Sequence, residues 1–166
     1  MKHVFTCCCC FIAAALTAQT TSPQTLTKIA FGSCGNQYKP MEIFYKVAEE
    51  QPQLFVFLGD NVYGDTEDMA LLQSKYDSLA AKPAYRKLQE TAPIIATWDD
   101  HDFGINDGGK EYPKKEESKK IFLDFFKEPA NSERRRHAGI YTSYIYGEAG
   151  ADYYAGLPHV PRLAGV

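Results

Sequence analysis

Three short apolar segments of the sequence each lead into a side chain that can bind a metal ion or act in catalysis. These side chains are Cys34, Asp60 and Asp100, which follow the segments 28–31, 54–58 and 94–98. Carboxylates suit hard cations, and a thiolate adds an affinity for iron or zinc. A single turn often contains Gly-Asp for geometric reasons alone. Three successive turns with this chemistry are harder to explain in that way, so the pattern indicates a metal site.

The sequence around Asp60 contains two further candidates, since it reads Gly-Asp-Asn-Val-Tyr-Gly-Asp. An aspartate at a strand end can bridge two metal ions, with one oxygen toward each. Tyr63 follows three residues later, so a turn would bring its phenol back to the cluster, where a phenolate is a good ligand for ferric iron. The alternative is an aromatic side chain at the edge of the core. Asp65 either accepts a hydrogen bond from a ligand or caps the next helix.

The segment Trp98–Asp102 contains three carboxylates and one imidazole within five positions. Like charges this close repel one another unless cations neutralise them or water surrounds them. At the end of a buried strand, cations are the better explanation, and an exposed acidic loop is the alternative. The candidate site residues of this segment are Asp100 and His101, with Asp99 either as a further ligand or as a hydrogen-bonding partner of a ligand. Asn106 and Asp107 lie in the glycine-rich loop that follows, where they either supply another ligand or turn the chain.

The elements that must position these residues have the order of an α/β protein with a mostly parallel sheet and crossover helices. The three apolar segments are β-branched or aromatic without strict alternation, as in strands buried on both faces. Helices are predicted at 41–50, 67–81, 83–91 and 114–128, and a more exposed fourth strand at 141–146. Asp65 or Thr66 is placed to cap the second helix. Because open α/β sheets bind ligands at the carboxyl ends of their strands, the three candidate side chains should share one edge.

The first residues predict export from the cytoplasm. A short basic start precedes the apolar segment 4–18, which is typical of a signal peptide cleaved after Ala18, with a polar linker at 19–27. An uncleaved membrane anchor is the alternative. Four of the five cysteines lie in the predicted signal peptide, so Cys34 cannot form a disulfide within the mature chain. It is therefore a small buried apolar residue, a nucleophile or a metal ligand.

The composition excludes several classes of protein. The 166 residues are 45% hydrophobic and 23% charged, which suits one globular domain. The net charge of −3 argues against a nucleic-acid binder, which would present a basic face. We expect a monomer without stable membrane association once the signal peptide is removed.

The motifs Phe31–Cys34, Gly59–Asp65 and Trp98–Asp102 resemble, in order and spacing, those of the alkaline phosphatase D family, the PhoD-like phosphatases. These are exported metallophosphoesterases of the calcineurin-like superfamily. The resemblance covers about residues 28–147. It implies part of a metallo-dependent phosphatase fold, which in complete family members is a four-layer α/β/β/α sandwich.

The resemblance also implies a centre of two or more metals, with iron and calcium expected and zinc, manganese or magnesium as alternatives. Cys34 and Tyr63 would bind iron, Asp60 would bridge, and Asp100 would bind the second metal. A metal-bound hydroxide would then attack a small phosphomonoester or phosphodiester substrate. His101 would face the phosphate as the catalytic residue, either stabilising charge or protonating the leaving alcohol.

The chain departs from the family pattern toward its carboxyl end. Residues 28–151 match the amino-terminal part of the family domain, and later histidine-bearing ligand motifs are missing from the sequence. Residues 152–166 are interpreted as an aberrant tail read in a shifted frame, because one possible +1 reading restores an apolar strand. The expected product is a poorly stable fragment with little or no activity.

Two rival functions remain at this point. A thiol hydrolase would use Cys34 as nucleophile and His101 as base. A non-catalytic fragment of the phosphoesterase would fold or bind metal without turnover. The arginines at 134–136 either lie on a solvated loop or grip phosphate.

Overall fold

The computed structural model describes residues 25–147 and the backbone of one strand at 153–157. The predicted signal peptide, most of the linker and most of the predicted aberrant tail lie outside these residues. None of the helices within the described part is both long enough and apolar enough to cross a membrane.

A three-stranded parallel sheet organises the structure, as the sequence predicts. Its strands are β1 (Ile29–Gly32), β2 (Leu54–Leu58) and β3 (Ile94–Thr97), in the spatial order β1-β2-β3. Ile29 is in register with Leu54, and Phe55 with Ile94. All three strands therefore end at the same edge, and the turns that follow them converge there. The α/β fold class is confirmed.

Crossover helices connect and cover the strands. They are α1 (Ile43–Glu49), α2 (Met69–Ala80) and α3 (Pro83–Thr91), with α4 (Asp100–Phe103) and α5 (Lys115–Phe125) following β3. Neither predicted cap begins α2. Asp68 does so instead, because its carboxylate accepts hydrogen bonds from the N–H groups of Ala70 and Leu71. The one-turn helix α4 is not among the predicted elements.

The main core lies between the sheet and the helices. Phe44 of α1 packs edge-on against Phe55 and Phe57 of β2, with ring centroids 5.9 and 5.8 Å apart. Such edge-to-face contacts add to the stabilisation that comes from burying the rings. The core packs against β2, the central strand of the sheet, directly before the turn that contains Asp60.

The opposite face of the sheet is only partly covered. Leu54, Val56 and Ile95 form a second small core beneath Tyr144 and Tyr146 of β4 (Thr142–Tyr146). Phe31 on the edge strand is 70% exposed. A strand β5 (Tyr153–Leu157), which is not among the predicted elements, pairs antiparallel with β4.

Candidate metal centre

Backbone hydrogen bonds join the first two strand-end turns. Cys34 donates from its backbone N to the carbonyl of Gly59 at 3.3 Å, and Gly35 donates to the carbonyl of Asp60 at 2.7 Å. The Sγ atom of Cys34 lies 3.5 Å from Oδ2 of Asp60. The exposed thiol and the carboxylate are thus brought into contact, as their positions after adjacent parallel strands led us to expect.

The second and third turns approach closely because residue 59 is glycine. Gly59 has a φ of +110°, and a Cβ atom there would lie 2.7 Å from the Cβ atom of Asp99. Such a separation is a steric clash, so only glycine allows the two turns to meet in this arrangement.

Asp60, Asp100 and His101 form the cluster best suited to a cation. One potential ligand atom from each of the three lies within 4.8 Å of those of the other two, and all three residues are partly buried. The Oδ1 atom of Asp60 is buried and has no hydrogen-bond partner within residues 25–147. A buried carboxylate oxygen without a partner is costly unless a cation or a donor satisfies it. The donor set therefore fits a bound metal ion.

Electrostatics support the same conclusion. Burial raises the pKa of Asp60, and the carboxylates of Asp99 and Asp100 raise it further, although His101 and the bond from Cys34 act in the opposite direction. A cation at this position would offset the repulsion among the carboxylates and favour their ionised forms.

His101 is held by Asp65. Its Nδ1 atom lies 2.7 Å from Oδ1 of Asp65, and that oxygen also accepts a hydrogen bond from the backbone N of Asn106 at 2.9 Å. Burial acts to lower the pKa of His101, but the hydrogen bond and charge of Asp65, with Asp60 and Asp100, outweigh it and raise the pKa. Of the two roles considered for Asp65, the structure shows hydrogen-bond acceptor and not helix cap.

Tyr63 lies at the same cluster. Its ring centroid is 4.4 Å from that of His101. Burial raises the pKa of Tyr63, and the adjacent Cys34 and Asp60 act in the same direction, so the phenolate is disfavoured until positive charge is present. The structure therefore brings together Cys34, Asp60, Tyr63, Asp100 and His101.

Asp99 and Asp102 cap a helix and are not part of the cluster of Asp60, Asp100 and His101. They form a reciprocal capping box that begins α4, in which each side chain accepts a hydrogen bond from the backbone of the other. Asp102 is fully buried, and burial raises its pKa to about 8 against the opposing effect of its hydrogen bonds. The carboxylate of Asp99 is exposed and also accepts a hydrogen bond from Asp100 N.

The loop that contains Asn106 and Asp107 bonds to the side chain of Asp100. The backbone N of Asp107 donates to Oδ2 of Asp100 at 2.5 Å, and the Asn106 amide donates to the side chain of Asp107 at 2.8 Å. These contacts orient the Asp100 carboxylate, and the Asn106 amide is bonded to its neighbour in this arrangement.

Three residues at the site were not singled out in the sequence. Gln37, Asn61 and Asp102 are buried polar residues that bond to the turns that carry the candidate ligands. Asn61 and Asp102 lie inside the sequence motifs Gly59–Asp65 and Trp98–Asp102. Their position next to candidate ligands in the sequence does not show which groups their side chains bond to. Gln37 has no distinguishing local signal.

The arginines at 134–136 bond within the protein. Arg134 is buried and donates to the carbonyls of Ala96 and Ile140 and to Glu128. Arg135 bonds to Asp124, and Arg136 to Glu133. These pairings favour a structural role over a phosphate grip.

Comparison with solved structures finds PhoD, with a TM-score of 0.62 at 15% sequence identity. The likeness covers 76% of this chain and 31% of the PhoD chain, so the present chain spans less than one third of that structure's length. At this identity the likeness shows the fold. No protein-family model matches the sequence, and neither does any curated protein.

Proposed function

We propose that this chain is the metal-binding, amino-terminal part of a metal-dependent phosphoesterase that acts on small phosphomonoesters or phosphodiesters. The observation that carries the proposal is the convergence of two proposed ligands, Asp60 and Asp100, with the proposed catalytic residue His101 at one sheet edge, where a buried Asp60 oxygen lacks a partner among residues 25–147. The PhoD-like fold and the three sequence motifs support the same reaction class.

The proposed ligands divide between two metals. Cys34 and Tyr63 would hold iron, Asp60 would lie between the metals, and Asp100 would hold calcium or another divalent ion. When bound, the metals supply the positive charge that acidifies water and neutralises the phosphate. The side chains of His101 and Asp65 would orient the substrate beside the metals and supply a proton to it.

His101 is the proposed catalytic residue. Asp65 accepts from Nδ1 and so fixes the orientation of the imidazole, which leaves the second ring nitrogen for the substrate. Against the effect of burial, the hydrogen bond and the charge of Asp65 act to raise the pKa of His101 and so favour an imidazole that carries a proton. That proton can be donated to a phosphate oxygen or to the leaving alcohol.

The geometry gives less support to a thiol hydrolase. The Cys34 thiol donates to Asp60, and within residues 25–147 no hydrogen bond joins it to His101, so the contact between nucleophile and base is not formed. The bond between His101 and Asp65 is compatible with either function.

Metal content and hydrolysis test the proposal together. The full chain is purified, its metals are measured by mass spectrometry, and hydrolysis of p-nitrophenyl phosphate and of its bis-ester is followed. Asp60→Asn should lower bound metal at least tenfold and remove any hydrolysis. Asp68→Asn, which alters only the cap of α2, should change neither.

The rival functions predict different results. Bound metal without hydrolysis would identify a non-catalytic fragment. Hydrolysis that survives chelation but is lost to iodoacetamide would identify a thiol enzyme and contradict the proposal.

Export and a monomeric state are also part of the proposal, supported by the sequence of residues 1–18 and by the ordinary composition. Amino-terminal sequencing of the secreted protein should begin at Gln19, and size-exclusion chromatography should give a single-chain mass. An intact Met1 or a cytoplasmic product would contradict export.

A further inference from the structure

We propose that the buried amide side chains of Gln37 and Asn61 are positioning residues, which hold the segment 60–63 (the ligand turn) in its metal-binding shape. The inference rests on the proposed function, because the ligand turn supplies Asp60 and Tyr63 to the proposed metal centre. The two amides bond on the β1 side and the β3 side of the ligand turn, respectively.

Gln37 holds the end of the ligand turn by two hydrogen bonds. Its Oε1 atom accepts from the backbone N of Tyr63 at 2.9 Å, and its Nε2 atom donates to the carbonyl of Tyr63 at 3.2 Å. Gln37 is 1% exposed. Two bonds from one planar amide to the N–H and the carbonyl of Tyr63 restrain both the position and the orientation of the Tyr63 backbone. Gln37 therefore fixes the point from which the phenol side chain extends.

Asn61 attaches the start of the ligand turn to the third strand-end turn. Its backbone N donates to Oδ2 of Asp102 at 3.0 Å, and its side-chain Nδ2 donates to the carbonyl of Thr97 at 2.8 Å and also to Asp102. Asn61 therefore couples Asp60, its neighbour in sequence, to the segment that carries Asp100 and His101.

Asn61 is not arranged for stability alone. It is fully buried, and its Oδ1 atom has no hydrogen-bond partner in the described part of the chain. An unsatisfied buried acceptor is destabilising. A residue that carries this cost beside a ligand is expected to contribute something else, and the geometry of the ligand turn is the contribution that its contacts indicate.

The ligand turn needs external support. Asp60 has a left-handed backbone with φ of 52°, which is unfavourable for most L-residues and is tolerated somewhat better by aspartate. Metal–ligand distances must be correct to about 0.2 Å. If the amides were lost, the ligand turn could relax toward ordinary backbone angles and move its side chains by more than that tolerance.

Cobalt binding tests the inference without reference to activity. The full chain and its Gln37→Ala and Asn61→Ala variants are titrated with Co²⁺ alone, and visible absorption reports both affinity and coordination geometry. Each variant should raise the Co²⁺ Kd at least tenfold and change the shape of the absorption bands.

Gln53→Ala is the matched control. Like Gln37, Gln53 bonds to the backbone of a residue 26 positions away, because its Oε1 atom accepts from Thr27 N at 2.6 Å. This contact lies at the amino-terminal ends of β1 and β2, away from the candidate metal centre. This variant should lose stability while keeping the Co²⁺ Kd and spectrum of the unaltered chain.

The outcomes separate the inference from the proposed function. Co²⁺ binding by both alanine variants within twofold of the unaltered chain, with the same spectrum, would overturn the inference alone. Failure of the unaltered chain to bind Co²⁺ would overturn the metal centre and the inference with it. If Gln37→Ala does not fold, Gln37→Met fills a similar volume without the two hydrogen bonds and should show the same loss of affinity, and an unchanged affinity would refute the role of Gln37.

Discussion

At the scale of single residues, the candidate metal centre includes backbone that most L-residues rarely adopt. Seven non-glycine residues in the described part have positive φ, and four of them are predicted site residues, namely Cys34, Asp60, Asp65 and Asp107. Left-handed backbone is unfavourable for a residue with a Cβ atom. Three of the four are aspartates, which adopt this backbone more readily than most L-residues, so the backbone cost is clearest at Cys34.

Paired substitutions at Cys34 separate the backbone cost from the ligand role. Cys34→Gly and Cys34→Ala both remove the thiol and should weaken metal binding equally. Because glycine tolerates φ of 58°, Cys34→Gly should be the more stable of the two by up to about 1 kcal/mol in urea unfolding.

Gln51 supplies the control pair for this prediction. It is exposed, has φ of 50° and follows α1. Gln51→Gly should be more stable than Gln51→Ala in urea unfolding by a similar amount. Metal affinity should be unchanged in both variants. If Cys34→Gly were less stable than Cys34→Ala while the Gln51 pair behaved as expected, the turn at Cys34 would have relaxed from its left-handed backbone once the thiol was absent.

At the scale of elements, Arg134 connects parts of the fold that are distant in sequence. Its guanidinium donates to Ala96 in β3, to Ile140 before β4 and to Glu128 after α5, at 2.8, 2.8 and 3.0 Å. It also lies over the ring of Phe122, with 5.8 Å to the centroid. One buried side chain therefore fixes β3, the strand that leads into Asp100, relative to α5 and β4.

Removal of this connection should be strongly destabilising. Arg134→Met leaves Glu128 and two carbonyls without their partner, and breaking a buried pair in this way costs about 3–5 kcal/mol. Urea unfolding measures the loss. Arg136→Met breaks an exposed pair with Glu133 and should cost at most about 1 kcal/mol. Equal losses in the two variants would show that Arg134 contributes no more than a surface charge.

At the scale of the whole molecule, the candidate ligands come from turns that follow all three strands of the parallel sheet. A metal bound between them adds a connection across the carboxyl edge that the unfolded chain lacks. Binding to the folded state alone stabilises it, by about 2.7 kcal/mol when free metal is at 100 times Kd. Metal binding and global stability should therefore rise together.

Thermal unfolding checks this coupling. The Tm of the full chain should rise with added metal and fall again after chelation. Asp60→Asn should remove most of the response, because it changes the proposed bridging ligand. A metal-induced rise of the same size in Asp60→Asn would place the stabilising ion elsewhere on the protein.

The sequence by itself determined the three parallel strands, the crossover helices and the shared edge for Cys34, Asp60 and Asp100. These features depend on local hydrophobic pattern and on strand direction, both of which are readable along the chain. The residues of the capping box that begins α4, Asp99 and Asp102, are also present in the sequence, but the charge pattern of that segment predicts cation binding or an exposed acidic loop and not a cap.

Only the tertiary structure decided which partner each polar group takes. Asp65 bonds to His101 while Asp68 caps α2, Gln37 bonds to Tyr63, and Asn61 bonds to Asp102. The contacts of Asp65, Gln37 and Asn61 join residues separated by 36, 26 and 41 positions. Local propensity carries no information about such pairs, because strand register and core packing choose them after the chain has folded.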